Sequence, residues 1–143
     1  MKEIKPRSDC PISFSLDILG DKWTVLILRD MIFDGKTAYG EFLQSDEKIA
    51  TNILADRLSV LYCQGLIDKK VAPDKRSKFL YSLTEKGIAL LPAIMELTIW
   101  GANYNPAGGN EKLLKELQKD KEGTIQRYRK ELMNKAIYFI PVG

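Results

Sequence analysis

Residues 50–83, ATNILADRLSVLYCQGLIDKKVAPDKRSKFLYSL, decide the fold. The first half is helical in period: Leu54, Leu58 and Leu61 share one face between about Ala50 and Gln64, and Gly65 is a natural stop. Asn52, Ala55, Asp56 and Ser59 point away from that stripe. The face opposite the core therefore begins with short side chains, which a partner can approach closely. After Gly65 the pattern changes. Leu66–Val71 and Phe79–Leu83 read as strands, and the link Ala72–Lys78 is polar, so the pair makes a hairpin. Within residues 69–78 five cations (Lys69, Lys70, Lys75, Arg76, Lys78) face one acid, Asp74, a local charge of +4. The whole 143-residue chain carries only +3, so the distribution is informative where the total is not.

Outward from this stretch, the spacing predicts further helices. Residues 1–9 are polar and read as a flexible N-terminal segment. Pro11 suits a first helical turn, Ile12, Leu16 and Leu19 follow helical spacing, and Gly20 ends that helix. Asp21 caps a second helix from Lys22 to about Phe33, apolar nearly all round and so central in the core. Thr37 caps a short third helix carrying Tyr39, Phe42 and Leu43. After the hairpin, Thr84 caps a helix that carries Ile88, Leu91, Ile94, Met95, Ile99 and Trp100 to near Tyr104. Pro92 predicts a kink or a new segment within it. Asn105–Asn110 is the clearest linker. Beyond it, Leu113, Leu114 and Leu117 form one stripe and Ile125, Tyr128, Leu132, Ala136 and Phe139 another, with Gly123 expected to separate two helical pieces. Each apolar face needs a partner, and packing within a dimer is the expectation. The chain thus divides into a flexible segment (1–9), a central domain (10–104), and a linker with a C-terminal helical extension (105–143).

Composition excludes much chemistry. The chain has no histidine and only two cysteines, Cys10 and Cys63. Histidine-dependent nucleophile arrangements, histidine zinc sites and a four-cysteine zinc site are all ruled out within one chain. No clustered carboxylates have the spacing of a hydrolytic site, so the chain reads as no enzyme, with no cofactor and no metal. No apolar run approaches the roughly 18 residues of a membrane span, and the start lacks the apolar core of a signal peptide. The expected setting is a reducing cytoplasm, away from membranes.

Three helices, a basic two-stranded hairpin and a further helix describe a winged helix-turn-helix, mainly α with a two-stranded β wing. A helix that begins with small polar residues can enter the major groove and meet base edges. A basic hairpin beside it reaches phosphates or the minor groove. The expected partner is double-stranded DNA. A homodimer follows from operator logic: a two-fold protein reads a two-fold site with half-sites about one turn apart.

The residues also resemble a family. Cys10-Pro11 and Leu19-Gly20-Asp21-Lys22-Trp23-Thr24-Val25-Leu26-Ile27-Leu28-Arg29 look like the opening of HxlR-type bacterial transcriptional regulators. Leu58, Leu61, Gly65-Leu66-Ile67, Tyr81-Ser82-Leu83-Thr84-Glu85-Lys86-Gly87 and Trp100-Gly101 continue the likeness in order, across about residues 8–104. The resemblance implies a MarR-like winged-helix dimer on a near-palindromic operator, often beside a stress-response or metabolic gene, and repression of such a gene is the expectation. It implies N- and C-terminal dimerisation helices, with Ile12, Leu16, Leu91, Met95 and Trp100 at the interface. It also implies that the cysteine before the proline, Cys10, senses oxidants or electrophiles. The chain departs from the family pattern at Asp21 (commonly Gly), at Ala38-Tyr39 (often Arg-Phe), at Ala50 (usually a Ser cap) and at Pro73-Asp74 (often Pro-Pro). The tail after Tyr104 is longer than the usual ending.

The candidate DNA-recognition residues are Thr51, Asn52, Ala55, Asp56, Arg57 and Ser59. Asn52 suits adenine and Asp56 suits cytosine, though Asp56 equally suits pairing with Arg57. The candidate wing and backbone contacts are Lys69, Lys70, Lys75, Arg76 and Lys78. The plainer reading of both sets is a solvated helix face and a soluble hairpin tip. Cys10 stands where a helix dipole favours negative charge, with Lys5 and Arg7 nearby; its plainer reading is a small apolar residue. Trp23 and Trp100 read as core aromatics, or as the wall of an effector pocket or dimer seam. Two rival readings stay open: a MarR-like regulator that answers a small-molecule effector, and a winged-helix module that binds an acidic protein.

Overall fold

The computed structural model describes residues 4–139. The helix-turn-helix comprises α1 (Pro11–Leu19), α2 (Thr24–Phe33), α3 (Tyr39–Phe42) and α4 (Thr51–Cys63). An antiparallel hairpin of β1 (Ile67–Ala72) and β2 (Lys75–Leu83) follows, with Ile67 opposite Leu83 and Lys69 opposite Tyr81. Ala38 bridges Leu80, and the Tyr81 N–H donates to the Thr37 carbonyl at 2.8 Å, so the α2–α3 connection forms a short third edge. Then come α5 (Glu85–Ile88), α6 (Leu91–Tyr104), α7 (Glu111–Lys119) and α8 (Lys121–Tyr138). The architecture is mainly α with a two-stranded wing, as the sequence pattern predicts.

Local chemistry explains the boundaries. Pro11 opens α1. The Asp21 carboxylate accepts from the Trp23 and Thr24 N–H groups at 3.0 and 3.2 Å, and α2 starts at Thr24, two residues later than expected. Thr37 does not cap α3. Glu41 reaches back instead and accepts the Thr37 and Ala38 N–H groups at 2.9 Å each, which moves the start to Tyr39. Gly65, at φ +77°, takes the left-handed conformation that turns the chain from α4 into the wing. Thr84 Oγ1 accepts from the Gly87 N–H at 3.2 Å and donates to the Gly65 carbonyl at 2.6 Å, fastening the start of α5 to the end of α4. At Gly87 a Cβ would collide with the Leu66 carbonyl and lie 3.2 Å from Leu83 Cδ2, so only glycine fits that approach. Pro92 falls in the first turn of α6, and a new segment begins there.

The core is continuous. Leu28, Leu54, Leu61, Ile67, Ile88, Leu91 and Met95 are fully buried, and Leu113, Leu117, Ile125 and Leu132 of the extension join the same cluster. This corrects the expectation that the extension packs in a dimer: its stripes are buried within their own protomer, against α5, α6 and β2. The break between α7 and α8 lies at Asp120, not Gly123. Asp120 caps α8 by accepting the Gly123 N–H at 3.0 Å. The N-terminal segment is also tied where it is described. Ile4 packs against the core, and Arg7 pairs with Asp17. The flexible-segment expectation for residues 1–3, and the end of the extension at 140–143, lie outside the described residues. Among the described residues no helix is long and apolar enough to cross a membrane.

Candidate nucleic-acid interface

The outward face of α4 carries Thr51, Asn52, Ala55 and Ser59, all exposed. The opposite face is sealed by Leu54, Leu58 and Leu61. Tyr39 Oη donates to the Thr51 carbonyl at 2.9 Å, which pins the start of α4 to α3. Ala50, at the N-cap, offers no side-chain acceptor, so no side chain caps the first-turn N–H groups of α4. Such free N–H groups at a helix start are suited to phosphate.

Arg57 sits differently from its neighbours. Its Nε donates to Asp21 Oδ2 at 2.8 Å and its NH1 group to Asp56 Oδ2 at 2.5 Å, and it is half-buried. Burial pushes the Asp21 carboxyl up, but hydrogen bonds from Thr24, Arg57 and the Trp23 N–H outweigh it and hold Asp21 below the usual carboxylate range. Arg57 is thus a brace between α4 and the start of α2. That corrects its place among the outward-reading residues, because its guanidinium is committed to two carboxylates. Asp56, half-buried and paired with Arg57, stands at the edge of the reading row.

The five wing cations separate into two groups. Lys75, Arg76 and Lys78 are exposed along β2 at the tip. Lys69 lies over the rings of Tyr62 and Phe79, at 4.6 and 4.9 Å, and Lys70 lies over Phe139 at 4.5 Å. The latter two are half-buried and held at the wing's base. Between α3 and the wing runs a cleft of about 340 Å³ lined by Tyr39, Gly40, Lys75, Ser77, Lys78 and the Phe79 and Tyr81 rings. Burial raises the Tyr81 phenol, so it stays neutral there.

Behind this surface a buried acid organises the α2–α3 turn. Asp30 accepts from Arg29 at 2.8 Å, from Lys36 at 3.4 Å and from the Ser45 hydroxyl. Arg29 also holds Glu47 through two bonds of 2.7 and 2.8 Å. This pairing pushes the Glu47 carboxyl down to about 2, against a smaller opposing effect of burial.

A second set of exposed side chains is apolar. Ile12 is 72% exposed, Leu16 53% and Trp100 67%, and Phe14, Leu97 and Tyr104 are exposed with them on α1 and α6. The Trp100 and Tyr104 rings meet with centroids 5.2 Å apart. Trp100 is therefore no core aromatic. Leu91 and Met95 are 1% and 0% exposed, which corrects their assignment to an interface: both face their own protomer's core. Leu97 and Tyr104, with Trp100, form a second stripe on α6 at spacings of three and four, a signal present in the sequence but overshadowed by the core stripe. Cys10 is exposed at the N-cap of α1, and its N–H donates to Ser8 Oγ at 3.2 Å. Arg7, expected to favour a thiolate there, is instead engaged by Asp17. Cys63 is half-buried.

The sequence model of the HxlR-like helix-turn-helix family matches residues 18–108. The chain is 35% identical over 101 residues to YybR, an uncharacterized HTH-type transcriptional regulator of Bacillus subtilis, across 70% of this chain and 80% of that relative. Among solved structures it is similar to PA1607, a candidate transcription factor, with 39% identity, a TM-score of 0.64 and coverage of 73% of this chain and 72% of the other. It is also similar to the reduced form of the transcriptional regulator YodB from B. subtilis, with 30% identity, a TM-score of 0.55 and coverage of 71% and 100%. YodB has also been solved quinone-bound and after diamide treatment.

Proposed function

The chain belongs to the HxlR-like helix-turn-helix family and is a DNA-binding transcriptional regulator, and from that premise we propose that two copies join through α1 and α6 to read a near-palindromic operator. The observation that carries this is that exposed polar and exposed apolar side chains lie on different elements. Small polar side chains line the outward face of α4 and cations are exposed on β2 of the wing, while α1 and α6 leave Ile12, Leu16, Leu97 and Trp100 uncovered. Apolar side chains of that size, grouped on two helices, mark a protein interface. A second copy is the occupant that fits a dimeric helix-turn-helix, in which paired recognition helices enter successive major-groove turns.

In this reading Asn52 pairs with adenine, Thr51, Ala55 and Ser59 fit the groove, and Lys75, Arg76 and Lys78 meet phosphates. The protein acts in the cytoplasm as a repressor of a nearby stress or metabolic gene. Cys10 is the proposed input: an exposed thiol at the head of α1, beside the dimer face, whose modification would disturb the pairing of the two copies. The quinone-bound and diamide-treated forms of YodB support this choice of signal. The test is a gel shift of the DNA upstream of the gene. Asn52→Ala should cost about 1–3 kcal/mol and relax preference at one base position. Wild type and Cys10→Ser are then titrated with diamide or methylglyoxal; release of DNA by wild type alone is expected, and equal responses would sink the switch. A second reading, a small-molecule-responsive regulator, draws on a cleft of about 400 Å³ between α6 and α7, lined by Ile99, Ala102, Leu114 and Leu117 with the amides of Asn103 and Gln118. Ligand retained in native mass spectrometry would favour it.

A further inference from the structure

The wing is gripped on both faces. Neighbouring residues of a strand point to opposite sides, and both Lys69 and Lys70 of β1 end over aromatic rings. Lys69 covers Tyr62 of α4 together with Phe79. Lys70 covers Phe139, the residue that closes α8. The first grip lies wholly inside the region matched by the family, whereas the second reaches outside it through Phe139, since the match ends at residue 108. At its other end α8 is fastened to α6, where Lys121 donates to Glu96 at 2.7 Å. Midway, Tyr128 meets Phe33 of α2 edge to face at 5.6 Å, and Ile125 and Leu132 are buried. The 18 residues of α8 make a rod about 27 Å long at 1.5 Å per residue. One end touches the helix that carries the apolar surface, and the other touches the wing.

We propose that α8 is a strut that sets the wing's position relative to α6, and that Phe139 is a positioning residue for DNA binding, acting through Lys70. A two-stranded hairpin alone is marginally stable in water, so its orientation depends on what grips its faces. Tyr62 holds one face from the recognition helix, and Phe139 holds the other from the extension. Loosening the second grip leaves every wing cation in place but lets the tip wander, so binding weakens without loss of a phosphate contact. The proposal rests on the DNA-binding reading.

The experiment uses the full chain and a 30-base-pair duplex selected by the wild-type protein from a random-sequence library, with affinity measured by fluorescence anisotropy across a salt series. Phe139→Ala should weaken binding about fivefold. The slope of log affinity against log salt should stay at its wild-type value, because the cation count is unchanged. Phe139→Tyr, which keeps the ring, should bind within about twofold of wild type. Lys70→Ala should lose as much as Phe139→Ala, and the double variant should lose no more than either, because the two share one contact. Wild-type affinity in Phe139→Ala, multiplied losses in the double variant, or a slope lowered by about one in Lys70→Ala would each overturn the strut. If Phe139→Ala does not fold, the Lys70→Ala and Phe139→Tyr pair decides on its own: loss in the first with the second unchanged supports it, and wild-type affinity in Lys70→Ala overturns it. A wild-type protein that selects no duplex would instead overturn the DNA-binding reading itself.

Discussion

Asp21 accepts the Trp23 and Thr24 N–H groups and the Arg57 guanidinium, so one carboxylate both starts α2 and fixes the middle of α4. The capping role is legible in the sequence, since a cap acts within three residues. The pairing with Arg57, 36 residues away, has no local signature, and Arg57 therefore reads in sequence as one more outward cation. Glu47 shows the same kind of long-range effect and gives a test. Arg29 pushes its carboxyl down to about 2. A carboxylate depressed in the folded state adds stability that is present above its ordinary value, near 4.3, and is lost as pH falls toward the folded value. Glu41 is shifted the same way by the Thr37 and Ala38 N–H groups, and Asp21 by its hydrogen bonds despite burial. Stability should thus decline between about pH 5 and pH 2. Glu47→Gln should be less stable than wild type at pH 7, with the gap closing through that window. Urea midpoints across the pH series check this, and a gap independent of pH would refute the pairing.

At the scale of elements, the helices carrying a clear apolar stripe were readable, and the wing's existence was readable from its change of period. The wing's extent was not. β2 begins at Lys75, earlier than expected, because Lys75–Lys78 are all polar and exposed and show no alternation to read. Nor does the sequence reveal which cations are free. Lys69 and Lys70 stand over rings brought in from α4, β2 and the end of α8, whereas Arg76 stands in solvent. These positions should behave differently. Arg76→Ala should weaken binding to all DNA sequences alike and lower the salt slope by about one, the mark of a lost phosphate contact. Lys69→Ala should leave the slope unchanged and instead lower the melting temperature, through loss of a ring contact of about 0.5–1 kcal/mol. Equal slope changes at both positions would show that the base of the wing also meets phosphate.

For the whole molecule, the decisive fact is that one core spans the family-matched region and the extension. The stripes of α7 and α8 announced buried faces, but an amphipathic helix in a sequence does not say which copy of the chain covers it. The structure puts Leu113, Leu117, Ile125 and Leu132 in the protomer's own core, while Ile12, Leu97 and Trp100 remain outside it. In the proposed dimer, protomer stability and dimerisation therefore depend on different residues. Leu132→Ala deletes a buried side chain and should cost about 2–5 kcal/mol. Its effect should appear as a lower urea midpoint, with dimer dissociation in sedimentation unchanged where the protein is still folded. Trp100→Ala removes a ring exposed on the protomer, so it should leave the fold intact and raise the dimer dissociation constant, releasing DNA at concentrations where wild type holds it. The reverse pattern, with Leu132→Ala dissociating a folded dimer and Trp100→Ala unfolding the protomer, would place the interface on the extension and not on α1 and α6.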